Sequence, residues 1–207
     1  MRSCYALVIT FLIVCCGGNV LAQGKITADD DHKGKENDTE VFVITSDSVK
    51  HSGTKLKFPP RYFKTSEFIA VDGVKYPRKK KQDIIAFQTE ETYYAYLPGS
   101  DNDMQRIRKG KMNLYVYYDT TTTIGHATAD EARRYVIEKD KNKFMVCRYE
   151  ILEKAFADNS AVLQKFHEFF PDAKEADKIF LKTSIPFKVE TETLKNMLLL
   201  IDMYNGN

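Results

Sequence analysis

Apolar and polar positions divide the chain into four stretches of different rhythm. Cys4 to Cys16 is an uncharged, mostly apolar run, 25–40 is almost entirely polar, 41–149 alternates with period two, and from about Glu150 apolar residues recur at helical spacing. The period-two stretch opens with VFVITS at Val41, passes Asp47-Ser48 and Gly53, and resumes in TKLKF, where Leu56 and Phe58 alternate with Lys55 and Lys57 until Pro59-Pro60 stops the strand. SEFIAV and VKYPRK flank Asp72-Gly73, a pair suited to a type I′ turn because both residues tolerate positive φ, so a hairpin is expected there.

IIAFQT, Glu90-Glu91 and TYYAYLP predict a second hairpin, whose return strand is crowded with Tyr93, Tyr94 and Tyr96. After PGSDND come MQRIR, a turn at Lys109-Gly110, and KMNLYVYYD, in which Met112, Leu114, Val116 and Tyr118 share one face and Asn113, Tyr115 and Tyr117 the other. Residues 120–130 read as a loop; ARRYVIEKD and KFMVCRY then flank a turn at Lys141-Asn142. This is the spacing of eight or nine short strands in an antiparallel sandwich or a curled, barrel-like sheet.

Helical periodicity then takes over. ILEKAFA predicts a short helix, Ser160 is the expected N-cap of AVLQKFHEFF, Pro171-Asp172 separates it from DAKEADKIFLK, and VETETLKNMLLLIDMYN carries an apolar stripe at Leu194, Met197, Leu198, Ile201 and Tyr204. The fold class is α+β: a β-rich region at 41–149 with three or four short helices at 150–207 packed on it.

The first stretch has the form of a cleavable secretory signal over 1–22. Met1-Arg2-Ser3 gives a positive start, the apolar run suits the hydrophobic region, and Val20-Leu21-Ala22 places cleavage before Gln23. Cys15 and Cys16 raise lipidation as an alternative, but β-branched Ile13 and Val14 precede them where a small residue is wanted. The expected location is therefore the periplasm or the exterior, with no membrane span left after cleavage. Residues 23–40 form a flexible polar leader that cannot bury enough surface to offset its ordering entropy. Asp29, Asp31, Gly34 and Glu40 fall at EF-hand loop positions, yet Lys33 stands where an oxygen ligand is needed, so no calcium site is expected. Asn37-Asp38-Thr39 is a glycosylation sequon.

Composition adds mainly exclusions. With 31 Lys and Arg against 29 Asp and Glu, the net charge of +2 gives no field that would make nucleic acid an obligatory partner. Of four cysteines, three leave with the signal, so Cys147 remains without an internal partner and reads as a buried strand residue. His32, His51, His126 and His167 form no metal-ligand spacing and stand beside no nucleophile, although His126 lies in a loop, where functional residues concentrate; His167 reads as an exposed helix residue. Glu90-Glu91 and the Asp101, Asp103 pair are turn chemistry, and no glycine-rich phosphate loop is present. No catalytic residue, metal ligand or cofactor is indicated.

One surface stands out. Arg78, Lys79, Lys80 and Lys81, with Arg106, Arg108, Lys109 and Lys111 further on, can form a basic patch if their hairpin ends meet. Joined to Tyr94, Tyr96, Tyr115 and Tyr117, that patch would suit an envelope protein, an anionic polysaccharide or a lipid headgroup. The plainer reading is that the lysines protect sheet edges.

A signal ending Val-Leu-Ala-Gln, the segment FIAVDGVKYPRKKKQDIIAFQT, the later RIRKGKMNLYVYYD and the helical FHEFFPDAKEADKI together resemble uncharacterised exported proteins of Bacteroidota. The resemblance implies export and a β sheet with a helical tail, and it carries no site residues. Two function classes follow: a non-enzymatic binding or interaction protein of the cell envelope, which the sequence favours, and an extracytoplasmic hydrolase whose carboxylates are brought together by the sheet.

Overall fold

The computed structural model describes residues 40–57, 68–77, 84–89, 92–100, 102–121, 130–181 and 186–206. The expected signal, the leader up to residue 39, the basic run 78–81, Glu90, Glu91, Asp101, His32 and His126 lie outside the described residues.

Among the described residues eleven strands are present, more than the eight or nine expected: β1 Val41–Thr45, β2 Lys50–Gly53, β3 Leu56–Lys57, β4 Phe68–Val71, β5 Val74–Pro77, β6 Ile84–Gln88, β7 Tyr93–Tyr96, β8 Asp103–Arg108, β9 Asn113–Thr121, β10 Asp130–Glu138 and β11 Phe144–Val146. The additional strand β2 reads KHSG, a polar edge strand with no apolar alternation to announce it. Eight strands form one antiparallel sheet in the order β11-β10-β9-β8-β7-β6-β1-β2, and β3-β4-β5 form a small second sheet inserted between β2 and β6. Four helices follow: α1 Tyr149–Phe156, α2 Ser160–Phe169, α3 Ala173–Leu181 and α4 Phe187–Asn205. The class is α+β, and the large sheet is curled but not closed.

Local chemistry fixes the turns. Asp72 and Gly73 both adopt positive φ, 47° and 85°, between directly paired Val71 and Val74, as a two-residue type I′ hairpin requires. Asn142, at φ 63°, plays the equivalent part between β10 and β11. Gly53 is required for a different reason: a Cβ there would lie 2.1 Å from Val71 Cγ1, so only glycine lets the end of β2 approach the small sheet. Asn159, not Ser160, caps α2, its side-chain oxygen accepting from the Val162 N–H at 3.2 Å. The preference of Asn for this position is as strong as that of Ser, and the helix simply starts one residue earlier.

The helices cover one face of β8–β11. Ile107, Leu114, Val116, Tyr135 and Ile137 from the sheet meet Leu152, Phe156, Phe166, Phe180, Met197 and Ile201 in the main core. Each fully buried aliphatic side chain there contributes roughly 1.5–3 kcal/mol. Over β1, β6 and β7 the small sheet takes the helices' place: Leu56 and Val71 pack with Val41, Val43 and Phe87. Cys147 is buried beside this scaffold, its N–H donating to the Tyr135 carbonyl at 2.8 Å, and burial pushes its thiol pKa up, which keeps it inert.

Polar anchors tie the helices to the sheet. Arg108 Nε lies 3.0 Å from Asp202 Oδ1 on α4 with both side chains largely buried. The Asn205 amide accepts from the Met112 N–H at 2.9 Å and donates to the Met112 carbonyl at 3.0 Å, pairing with that residue as another strand would. A Cβ on Gly110 would lie 2.3 Å from the Asn205 side chain, so glycine makes this docking possible. Lys139 Nζ donates to the Ala155 carbonyl and Arg134 Nη1 to the Phe180 carbonyl, placing cations at the C-terminal ends of α1 and α3, where the helix dipole favours them. No helix among the described residues is long and apolar enough to cross a membrane.

Replacing Asp202 by Ala removes the carboxylate that faces the buried Arg108 guanidinium, which keeps its bond to the Ile107 carbonyl. The expected loss is about 3 kcal/mol, read as a lower urea midpoint at unchanged slope. Lys154→Ala, which breaks the exposed Lys154–Glu150 pair, is expected to leave that midpoint essentially unchanged.

Candidate functional site: a cavity on the open face of the sheet

The face of the large sheet turned away from the helices holds a cavity of about 490 Å³. Ser46 and Ser48 of the β1–β2 turn and Lys141 and Asn142 of the β10–β11 turn line it together, although β1 and β10 are five places apart in the sheet. In a flat sheet that separation is roughly 24 Å, so strong curling is what lets both turns border one pocket. Two register irregularities, between Ile44 and Thr45 and between Arg106 and Arg108, supply the bending that bulges characteristically introduce.

Register builds the floor. Asn113 lies directly opposite Glu138, and Tyr115 lies opposite Val136 on one side and Arg106 on the other. Glu138, 8% exposed, gathers this group. Its Oε2 accepts from Tyr115 Oη at 2.7 Å and from Asn113 Nδ2 at 2.8 Å, and its Oε1 accepts from the Asn142 backbone N–H at 2.8 Å. The Arg106 guanidinium sits over the Tyr93 ring, 3.8 Å from its centroid, in a cation–π contact. Phe144 meets Tyr115 edge-on at 5.4 Å, and Ala86 and Ala95 leave the space that larger side chains would fill.

Burial and the nearby charges set the protonation states. Burial, followed by the charge of Glu138, pushes Tyr93 up to about 12. Tyr115 is raised further, by burial first and then by its hydrogen bond to Glu138. Burial lowers Arg106, while Tyr115 and Glu138 act in the opposite sense; an arginine so placed keeps its proton at neutral pH. The floor therefore offers a fixed cation, two protonated phenols and a carboxylate already engaged by three donors of its own chain. Among the described lining residues Glu138 is the only carboxylate, and no histidine accompanies it.

The residues singled out from the sequence separate. Arg78, Lys79, Lys80 and Lys81 lie outside the described residues. Tyr115 forms the floor, and Tyr117, 9% exposed, packs with Met104 and Val136 on the same side. Tyr94 stacks on Phe87 at 4.9 Å in the cluster beneath the small sheet, and Tyr96, 7% exposed, joins that cluster while also reaching the cavity edge. These four tyrosines thus form interior walls instead of one exposed aromatic face. Arg106 and Arg108 do not share a patch either, because the bulge sends one to the cavity and the other to Asp202. Arg106, Asn113 and Glu138 together escape sequence reading, since neither Asn113 nor Glu138 carries a motif and only strand pairing joins them.

The remaining candidates are accounted for locally. His167 is exposed on α2, with Nε2 3.0 Å from Glu153 Oε1. His51 Nε2 lies 3.3 Å from Thr45 Oγ1, and its ring lies 4.9 Å from that of Tyr76. Glu40, the last residue of the EF-hand-like spacing, is held by Lys50 and Ser52. No cluster of three potential metal-ligating side chains occurs among the described residues. The chain matches no protein-family model, no curated protein and no solved structure.

Tyr93 gives the site a testable signature. Its raised folded-state pKa means that stability is intact below pH 10 and falls as pH rises toward about 12, since the unfolded phenol releases its proton first. Tyr93→Phe is expected to flatten this alkaline decline, measured by urea unfolding from pH 9 to pH 12; an unchanged slope would show that the ring is not held in the buried setting described.

Proposed function

We propose that the chain is an exported, non-enzymatic binding protein of the cell envelope that holds a small molecule on the open face of its sheet. The observation that carries this reading is the cavity itself: about 490 Å³, within the range of pockets that enclose small ligands, with apolar and aromatic walls and a few converging polar groups. Its polar groups are oriented before any ligand arrives, because Tyr115, Asn113 and the Asn142 N–H converge on Glu138 and Tyr93 flanks Arg106. Preorganisation of this kind lowers the cost of binding.

The arrangement argues against acid–base chemistry as its main use. Glycoside hydrolysis in its usual form uses two facing carboxylates, whereas the described lining supplies Glu138 alone, with three donors of its own chain engaging it. Export rests on the N-terminal pattern of positive start, apolar run and Val20-Leu21-Ala22, and on the resemblance to exported proteins of Bacteroidota. The basic run 78–81 would add a contact with an anionic envelope component.

Production of the full chain in a Gram-negative host, with native mass spectrometry of the periplasmic fraction, tests both parts. The expected product begins at Gln23 and carries a small-molecule adduct that is lost on denaturation. A cytoplasmic chain retaining Met1 would contradict export. An adduct-free protein that also takes up no small molecule from an envelope extract would contradict the binding reading.

A further inference from the structure

The charges on the cavity floor are already matched within the protein. Arg106 donates to the Tyr115 hydroxyl oxygen, feels the charge of Glu138 and lies over the Tyr93 ring. The Tyr115 O–H in turn donates to Glu138 at 2.7 Å, and Asn113 and the Asn142 N–H donate to the same carboxylate. Cation, phenol and carboxylate thus form one relay whose charges offset each other. Lys141, the other cation of the described lining, is an exposed residue of the β10–β11 turn, where water and salt screen it. A charged ligand group entering this pocket would lose its hydration and find its counter-charge already paired, which makes burying an ion costly.

The shape of the site adds a second constraint. Ala86 and Ala95 lie directly opposite each other on β6 and β7, so two small side chains stand side by side in the middle of the sheet. Both line the cavity, as do the rings of Tyr93, Tyr115 and Phe144. A space above an alanine pair and bordered by rings suits a flat apolar body, which gains offset or edge-on contacts with its aromatic neighbours. We propose that the cavity binds an uncharged, largely apolar ring compound, its ring seated over Ala86 and Ala95 and any hydroxyl or carbonyl group directed to the exposed turn at Ser46 and Ser48. This inference deepens the reading of the cavity as a small-molecule site and rests on it.

The test titrates the purified protein at neutral pH, following heat by calorimetry, with 2-naphthalenemethanol, 2-naphthoate and 2-naphthylmethylammonium, which share one ring body and differ in charge, and with octanol, a neutral chain. The naphthyl alcohol is expected to bind about tenfold or more tightly than either ion, and more tightly than octanol. Glu138→Gln, checked for an unchanged circular dichroism spectrum, removes the charge that offsets Arg106, so the affinity for naphthoate relative to the alcohol is expected to rise by about tenfold. An unchanged ratio in that folded variant contradicts the matching of floor charges. In the unaltered protein, an ion that binds as tightly as the alcohol overturns the uncharged assignment, and octanol binding as tightly overturns the ring. Either result leaves the cavity reading intact and needs no variant to fold. Binding of none of the four, before or after delipidation, overturns the cavity reading and this inference with it.

Discussion

Strand β9 has to satisfy two environments at once. Met112, Leu114 and Val116 enter the helix-covered core, each no more than 1% exposed, while Asn113, Tyr115 and Tyr117 face the other side. Because side chains alternate with a period of two, a one-residue slip would place asparagine and tyrosine hydroxyls against α4 and leave leucine and valine lining the cavity. Neither face tolerates that exchange, so the hydrophobic requirement of the helical layer also fixes where the polar floor lies. From that register follow the Asn113–Glu138 and Tyr115–Arg106 pairings.

Two arginines two residues apart show how the same backbone serves structure on one face and a site on the other. In a regular strand Arg106 and Arg108 would point the same way; the bulge between them breaks that rule. Arg108 reaches Asp202 and binds the terminal helix to the sheet, whereas Arg106 lies over Tyr93 beside the Tyr115–Glu138 pair. The bulge also contributes to the curl that brings the β1–β2 and β10–β11 turns to one pocket. Scaffold and cavity thus share a cause.

Much of this fold is legible in the amino-acid sequence because it rests on local rules. Asp72-Gly73 announces its hairpin, the alternation from Met112 to Tyr118 announces both faces of β9, and the stripe from Leu194 to Ile201 announces the buried side of α4. Less legible are features that depend on what lies across from a residue. Strand β2 is polar and becomes a strand only through pairing with β1. The Asn205 anchor requires Gly110, distant in sequence, to leave room for it. The cavity is the extreme case, since Glu138 ends an ordinary amphipathic strand and gains its role only when Asn113, Tyr115 and the Asn142 turn are placed around it. The tyrosines attract attention as a surface and turn out to be walls.

The central claim is that Glu138 sets the cavity floor in advance of any ligand. Hydrogen exchange of the ligand-free protein, compared with that of Glu138→Gln, tests it most directly, because the amide nitrogen of glutamine cannot accept the hydrogen bonds that both carboxylate oxygens now take. The account predicts faster exchange at the Asn142 N–H and along the adjoining β10–β11 turn, with the amides of α1 to α4 unchanged. Unaltered exchange at Asn142, or acceleration spread evenly over sheet and helices, would contradict it.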